Sequence, residues 1–172
     1  ALQRNRLSHA LLFVGAPDCG KKLAAKVLGA AMSCPVQPGK GCGQCPVCSA
    51  YLNGQYFDLS WVAPVSKSRQ ITIKQIKDVI RTVGRPPSGG EKRLVVIDQA
   101  DRMGTEACNA FLKTLEEPPS YVVMVLITAH EHLLLDTIRS RCIRLGFQPV
   151  QDQGQALSPD LRSVLQLAIQ QG

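Results

Sequence analysis

Residues 9–15 (HALLFVG) form a short apolar run, residues 21–32 (KKLAAKVLGAAM) repeat apolar side chains at helical spacing, and between them stands Gly15-Ala16-Pro17-Asp18-Cys19-Gly20-Lys21-Lys22. This strand, glycine-bounded loop and helix open an α/β sheet and leave few other architectures for the chain. The residue types also carry chemistry. Glycine permits positive φ and close backbone approach, the loop N–H groups face phosphate oxygens, and a lysine at the loop's end reaches β- and γ-phosphates. The following position in such loops is Ser or Thr, whose hydroxyl ligates Mg²⁺. Here it is Lys22.

The rest of the chain repeats the alternation. Residues 57–63 (FDLSWVA), 92–98 (KRLVVID), 121–128 (YVVMVLIT) and 142–147 read as further strands. Residues 71–83 read as an amphipathic helix, with Ile73, Ile76, Ile80 and Val83 on one side and Lys74, Lys77, Asp78 and Arg81 mostly on the other. A loop at residues 85–90 (RPPSGG) follows; residues 105–116 (TEACNAFLKTLE) form a helix stopped by Pro118-Pro119, and residues 130–138 another. Five strands separated by helices predict an α/β fold with a five-stranded parallel sheet flanked by helices.

Length and apolar content bound the reading. The 172 residues, 45% hydrophobic, suit one domain plus a short extension with a substantial core. No apolar run reaches the eighteen residues of a spanning helix and no charged-then-apolar leader opens the chain, so a soluble, intracellular protein without membrane contact is expected. The chain starts at Ala1, and residues 161–172 read as an unfinished helical pattern, which suggests a piece of something longer.

Of seven cysteines, Cys34, Cys42, Cys45 and Cys48 lie within a Gly- and Pro-rich stretch. The odd count, the missing secretion signal and the clustering favour a metal over disulfides. Four thiolates close a tetrahedral zinc site and leave no position for a reactive water, so a structural zinc is expected. The formal charge of +7 then falls to about +5. Cys108 and Cys142 read as small core residues, and Cys19 has no assigned chemistry.

In a parallel sheet, ligands sit beyond the carboxyl ends of the strands, where both the Gly15–Lys22 loop and Asp98 fall. Asp98 would orient a magnesium shell. Gln99, next to it, hydrogen-bonds water but accepts no proton, so a general base is missing as well as a metal ligand. Nucleotide binding stays open: Lys21 and the helix N-terminus favour phosphate, whereas Lys22 puts an ammonium in the metal position. Ser140-Arg141-Cys142, between a helix and the last strand, is by itself only an exposed or salt-bridged arginine.

Taken in order, GAPDCGKK, the four-cysteine insertion, LVVID, NAFLKTLEEPP, VLIT and SRC resemble bacterial clamp-loader AAA+ subunits over residues 8–148. The ATP-hydrolysing tau/gamma type carries GKT or GKS and Asp-Glu. Lys21-Lys22 and Asp98-Gln99 depart from both, so the chain looks like the delta-prime type of the DNA polymerase III clamp loader. The resemblance implies an AAA+ P-loop NTPase-like domain over residues 1–148 with the zinc module at 34–48, and residues 149–172 as a linker and the start of a lid domain.

It further implies an assembly component that turns over no ATP of its own, with tau/gamma and delta subunits as partners, and the sliding clamp and primed DNA reached through the complex in the bacterial cytoplasm at the nucleoid-associated replisome. On that mapping Arg141 acts in trans on ATP held by a neighbour. Gly15, Gly20, Lys21, Lys22, Asp98 and Thr128 make up a degenerate nucleotide site, Thr128 at the sensor position. Lys74, Lys77 and Arg81 are either a DNA-facing stripe or an ordinary solvated face. Two rivals stand beside this reading: a tau/gamma-type ATPase with divergent motifs, and a zinc-centred interaction module with no replication role.

Overall fold

The computed structural model describes residues 8–65 and 69–148. One parallel sheet is built from β1 (Ala10–Gly15), β2 (Leu59–Val62), β3 (Arg93–Asp98), β4 (Val122–Thr128) and β5 (Ile143–Phe147) in the order β2-β3-β4-β1-β5. Helices α1 (Lys21–Ser33), α2 (Pro46–Leu52), α3 (Ile73–Val83), α4 (Thr105–Glu116) and α5 (Asp136–Arg139) connect the strands. The order places β1, which ends in the glycine loop, beside β4, and β3, which ends in Asp98, on β4's other side.

Every residue of β3 and β4 is buried, as strands covered on both faces must be. Alternate side chains feed two cores. Leu12, Val95, Ile97, Met124 and Leu126 pack with Ile76 and Val79 of α3 and Phe111 of α4 on one face. Leu11, Phe13, Leu94, Val96 and Val125 pack with Ala25 and Leu28 of α1 and Tyr51 of α2 on the other. Each large apolar side chain so buried contributes roughly 1.5–3 kcal/mol, and together they fix the register on which both carboxyl-end sites depend.

Several elements differ from the sequence expectation for local reasons. The helix expected from residue 71 starts at Ile73, because Thr72 and Gln75 form a capping box while Ile71 bridges to Met103. The strand expected over residues 57–63 narrows to Leu59–Val62. Asp58 turns its carboxylate to the Ser88 and Gly89 N–H groups, at 3.0 and 2.8 Å, and to Arg93 at 3.0 Å. In place of one helix over 130–138 there is a 3-10 turn at Glu131–Leu133 and the four-residue α5. The His130 N–H is taken by Thr128 Oγ1 at 2.9 Å, a local bond that competes with helix initiation. The stretch around the cysteines, expected as loop, contains α2, capped by Cys45 with Pro46 in its first turn. The linker and lid expected at residues 149–172 lie outside the described residues.

Candidate functional site

The glycine loop is shaped by contacts only glycine tolerates. A Cβ on Gly15 would overlap the Phe147 backbone oxygen and stand 2.9 Å from Cys19 Sγ. Gly20 takes φ 87° at the N-cap of α1, a conformation that L side chains rarely adopt. Lys21 does not extend away from the loop. It is only 6% exposed, and its Nζ donates to the Gly15 carbonyl at 2.6 Å and to the Ala16 carbonyl, with Cys19 Sγ at 3.4 Å.

Lys22 Nζ lies 2.7 Å from Asp98 Oδ2. The carboxylate at the end of β3 thus has a cation supplied by its own chain, at the position where a loop hydroxyl and an acid share a metal in hydrolytic loops. Asp98 Oδ1 is buried without a hydrogen-bond partner among the described residues. Gln99 follows in a left-handed conformation, φ 55° and ψ 54°, and is exposed. Thr128, buried at the end of β4, donates to Asp101 Oδ1 at 2.6 Å. Gly20, Lys22, Asp98, Gln99 and Thr128 all border one cleft of about 570 Å³. The cleft therefore holds fixed cations and a helix N-terminus, which attract anions, while the side chain at position 99 accepts no proton from water.

The four cysteines converge. Their sulfurs all lie within 4.8 Å of one another, with Cys34–Cys45 at 3.9 Å and Cys42–Cys48 at 4.0 Å. Tetrahedral zinc bonds of about 2.3 Å put sulfurs about 3.8 Å apart, so the set fits that ion. Backbone N–H groups of Gln37, Cys45 and Cys48 donate to Cys34, Cys42 and Cys45 Sγ at 3.2, 3.3 and 3.4 Å. Burial raises the Cys34 thiol, but the N–H groups of Gln37, Cys42 and Val36 outweigh it and bring it to about 6. Burial pushes Cys48 up to about 12. The cluster packs through Cys48 and Tyr51 against the α1 face of the sheet.

Arg141 occupies a third place. It follows α5 and is not among the residues lining the cleft. Its Nη2 lies 2.6 Å from Glu116 Oε1 at the end of α4, and its Nη1 donates to the Thr137 carbonyl at 2.8 Å. On α3, Lys74, Lys77 and Arg81 are exposed, Arg81 pairing with Asp78 at 3.1 Å. None of the three is among the residues lining the cleft. Among the remaining cysteines, Cys108 is buried with its Sγ 3.7 Å from the Met103 carbonyl, and burial pushes half-buried Cys142 up to about 12. Cys19 belongs to the glycine loop. Glu116, Asp101 and the Asp58–Arg93 pair were not singled out from sequence; of these only Glu116, last in a helix ending before two prolines, carried a positional signal.

Residues 1–151 match the family model described as DNA polymerase III, delta subunit. The chain belongs to this family. It is 38% identical to the delta′ subunit of DNA polymerase III from Bacillus subtilis over 88% of this chain and 45% of that protein. It is 34% identical to the tau subunit of the same organism over 89% of this chain and 27% of that one, and 32% identical to the Pseudomonas aeruginosa delta′ subunit over 82% and 43%. The chain thus spans less than half the length of these relatives. Its relatives include both delta′ and tau/gamma subunits of DNA polymerase III. Among solved structures, a DNA polymerase III gamma subunit-related protein from Thermotoga maritima superposes with a TM-score of 0.59 at 22% identity, covering 93% of this chain and 46% of that one. A RuvB variant from the same organism gives 0.52 at 15%, over 83% and 38%. Both share the P-loop NTPase-like sheet. Among the described residues no helix is long and apolar enough to cross a membrane.

Proposed function

We propose that the chain belongs to a clamp-loader subunit of the delta′ kind, which turns over no ATP in its own cleft and supplies Arg141 to ATP bound by an adjacent tau/gamma-type subunit. The observation that carries the reading is the 2.7 Å pair between Lys22 and Asp98. An ammonium resting on the acid competes with Mg²⁺ for that oxygen, and Gln99 offers no base for the attacking water. The catalytic arginine, by contrast, stands away from its own cleft, as a residue working across an interface must. A planar guanidinium there stabilises charge as it spreads over the γ-phosphoryl oxygens.

Tau/gamma and delta subunits are the partners in this reading, the assembled complex placing the sliding clamp on primed DNA. Cys34, Cys42, Cys45 and Cys48 hold a structural zinc that ties α2 to α1; its contribution when bound is cohesion of that corner, with no step of chemistry. Lys74, Lys77 and Arg81 are the candidates for phosphate contact with DNA. ATP turnover by the chain alone, before and after Lys22→Thr with Gln99→Glu, tests the first half of the proposal. Wild-type turnover at the rate of a tau/gamma subunit would favour the divergent-ATPase reading instead.

A further inference from the structure

We infer that Glu116 is a positioning residue for Arg141: it holds the guanidinium at the orientation in which its remaining donors face a neighbour's nucleotide. This rests on the reading of Arg141 as acting across an interface. The two residues come from different places in the fold, the last position of α4 and the second residue after α5. They meet at 2.6 Å between Glu116 Oε1 and Arg141 Nη2. The other terminal nitrogen, Nη1, donates to the Thr137 carbonyl at 2.8 Å and lies 3.5 Å from Ser140 Oγ. A guanidinium carries five N–H donors in a rigid fork. Anchoring both terminal nitrogens to the protein fixes the plane of the fork, and donors remain to point outward.

The anchor has a reason to be there. A free arginine samples many rotamers, and immobilising one costs conformational entropy when a complex forms. An arginine already held by Glu116 and Thr137 loses less freedom as the interface closes. The pair stays partly open, with Arg141 36% and Glu116 47% exposed, so the carboxylate's charge is screened by water and does not cancel the cation. Glu116 also stands in the last turn of α4, where the helix dipole does not favour an acid; a positioning role accounts for an acid at that place.

The test uses full-length chain reconstituted into a loader in which only the subunit abutting Arg141 is competent to hydrolyse ATP, with saturating primed DNA. Glu116→Gln should lower kcat roughly two- to fivefold, the range open to one partly exposed charge pair, with KM for ATP unchanged. Arg141→Ala should lower kcat further. The double variant should match Arg141→Ala alone, because an anchor has no effect without what it anchors. Glu116→Asp, which keeps the charge on a shorter arm, should recover part of the loss. Wild-type kcat in Glu116→Gln beside an impaired Arg141→Ala overturns the positioning role and leaves the arginine's role standing. A double variant below Arg141→Ala by the full Glu116→Gln factor overturns it too. Wild-type kcat in Arg141→Ala overturns the underlying reading of the arginine.

Discussion

The molecule has two places where metal ligands gather, and they are finished in opposite ways. At the cysteine cluster, four sulfurs stand within 4.8 Å of one another and receive backbone N–H donors, but none of the polar contacts described there supplies a lysine or arginine. At the cleft, the acid that would share a metal is met by Lys22 at 2.7 Å, and Lys21, at the position from which such loops reach a phosphate, is folded onto its own loop's carbonyls. One site calls for an external cation and the other carries an internal one. Metal competence is thus read from whether the chain itself satisfies the ligands, more than from which ligands are present.

The largest effect should come from the open site. Purified chain should contain one zinc per molecule, and a strong chelator should lower the melting temperature on the order of 10 °C, because the ion binds the folded state only. Equal stability with and without metal would remove the distinction between the two sites. The closed site should open on substitution: in Lys22→Thr with Gln99→Glu, Mg·ATP should raise the melting temperature by several degrees, roughly the linkage expected at a hundredfold excess over Kd. Wild-type chain should give no such shift, and an equal shift in both would show that Lys22 does not block the metal.

A smaller effect tests the internal pair itself. Lys22→Thr alone should cost about 1 kcal/mol, read from denaturant midpoints: Asp98 is buried, but Lys22 is 60% exposed and the pair is discounted for solvent screening. An unchanged midpoint would mean that Asp98 is satisfied without it. The smallest effect concerns α3. Replacing Lys74 and Lys77 by Gln should flatten the salt dependence of DNA binding by the assembled loader by about one unit of slope for each phosphate these lysines neutralise. An unchanged slope marks the stripe as a solvated face.

Much of this was legible in the sequence because the signals were periodic or chemical. The apolar runs at residues 92–98 and 121–128 read as strands, which β3 and β4 bear out, and the bounds of α4, stopped by Pro118-Pro119, agree with those expected. The cysteine spacing predicted convergence of sulfurs, which the structure brings about. What was hidden lay in contacts between distant residues. Asp58 shortens β2 by pairing with Arg93, and no local pattern marks that. Thr128 Oγ1 takes the His130 N–H and so undoes a helix that residues 130–138 suggest by composition. Lys22 was visible as a missing hydroxyl; that its ammonium reaches Asp98 required β1 and β3 to lie on either side of β4. Glu116 gained meaning only once α4 and the turn after α5 were seen to meet.

If ATP chemistry around this chain takes place across its interface and not in its own cleft, substitutions in the two places must differ in effect. That difference is read from DNA-stimulated ATP turnover by a reconstituted loader carrying either Lys21→Met, inside the cleft, or Arg141→Ala, outside it. Near wild-type turnover is expected for Lys21→Met, and a loss of at least about tenfold at the adjacent site for Arg141→Ala. Lost turnover with Lys21→Met beside normal turnover with Arg141→Ala would contradict a division of labour across the interface.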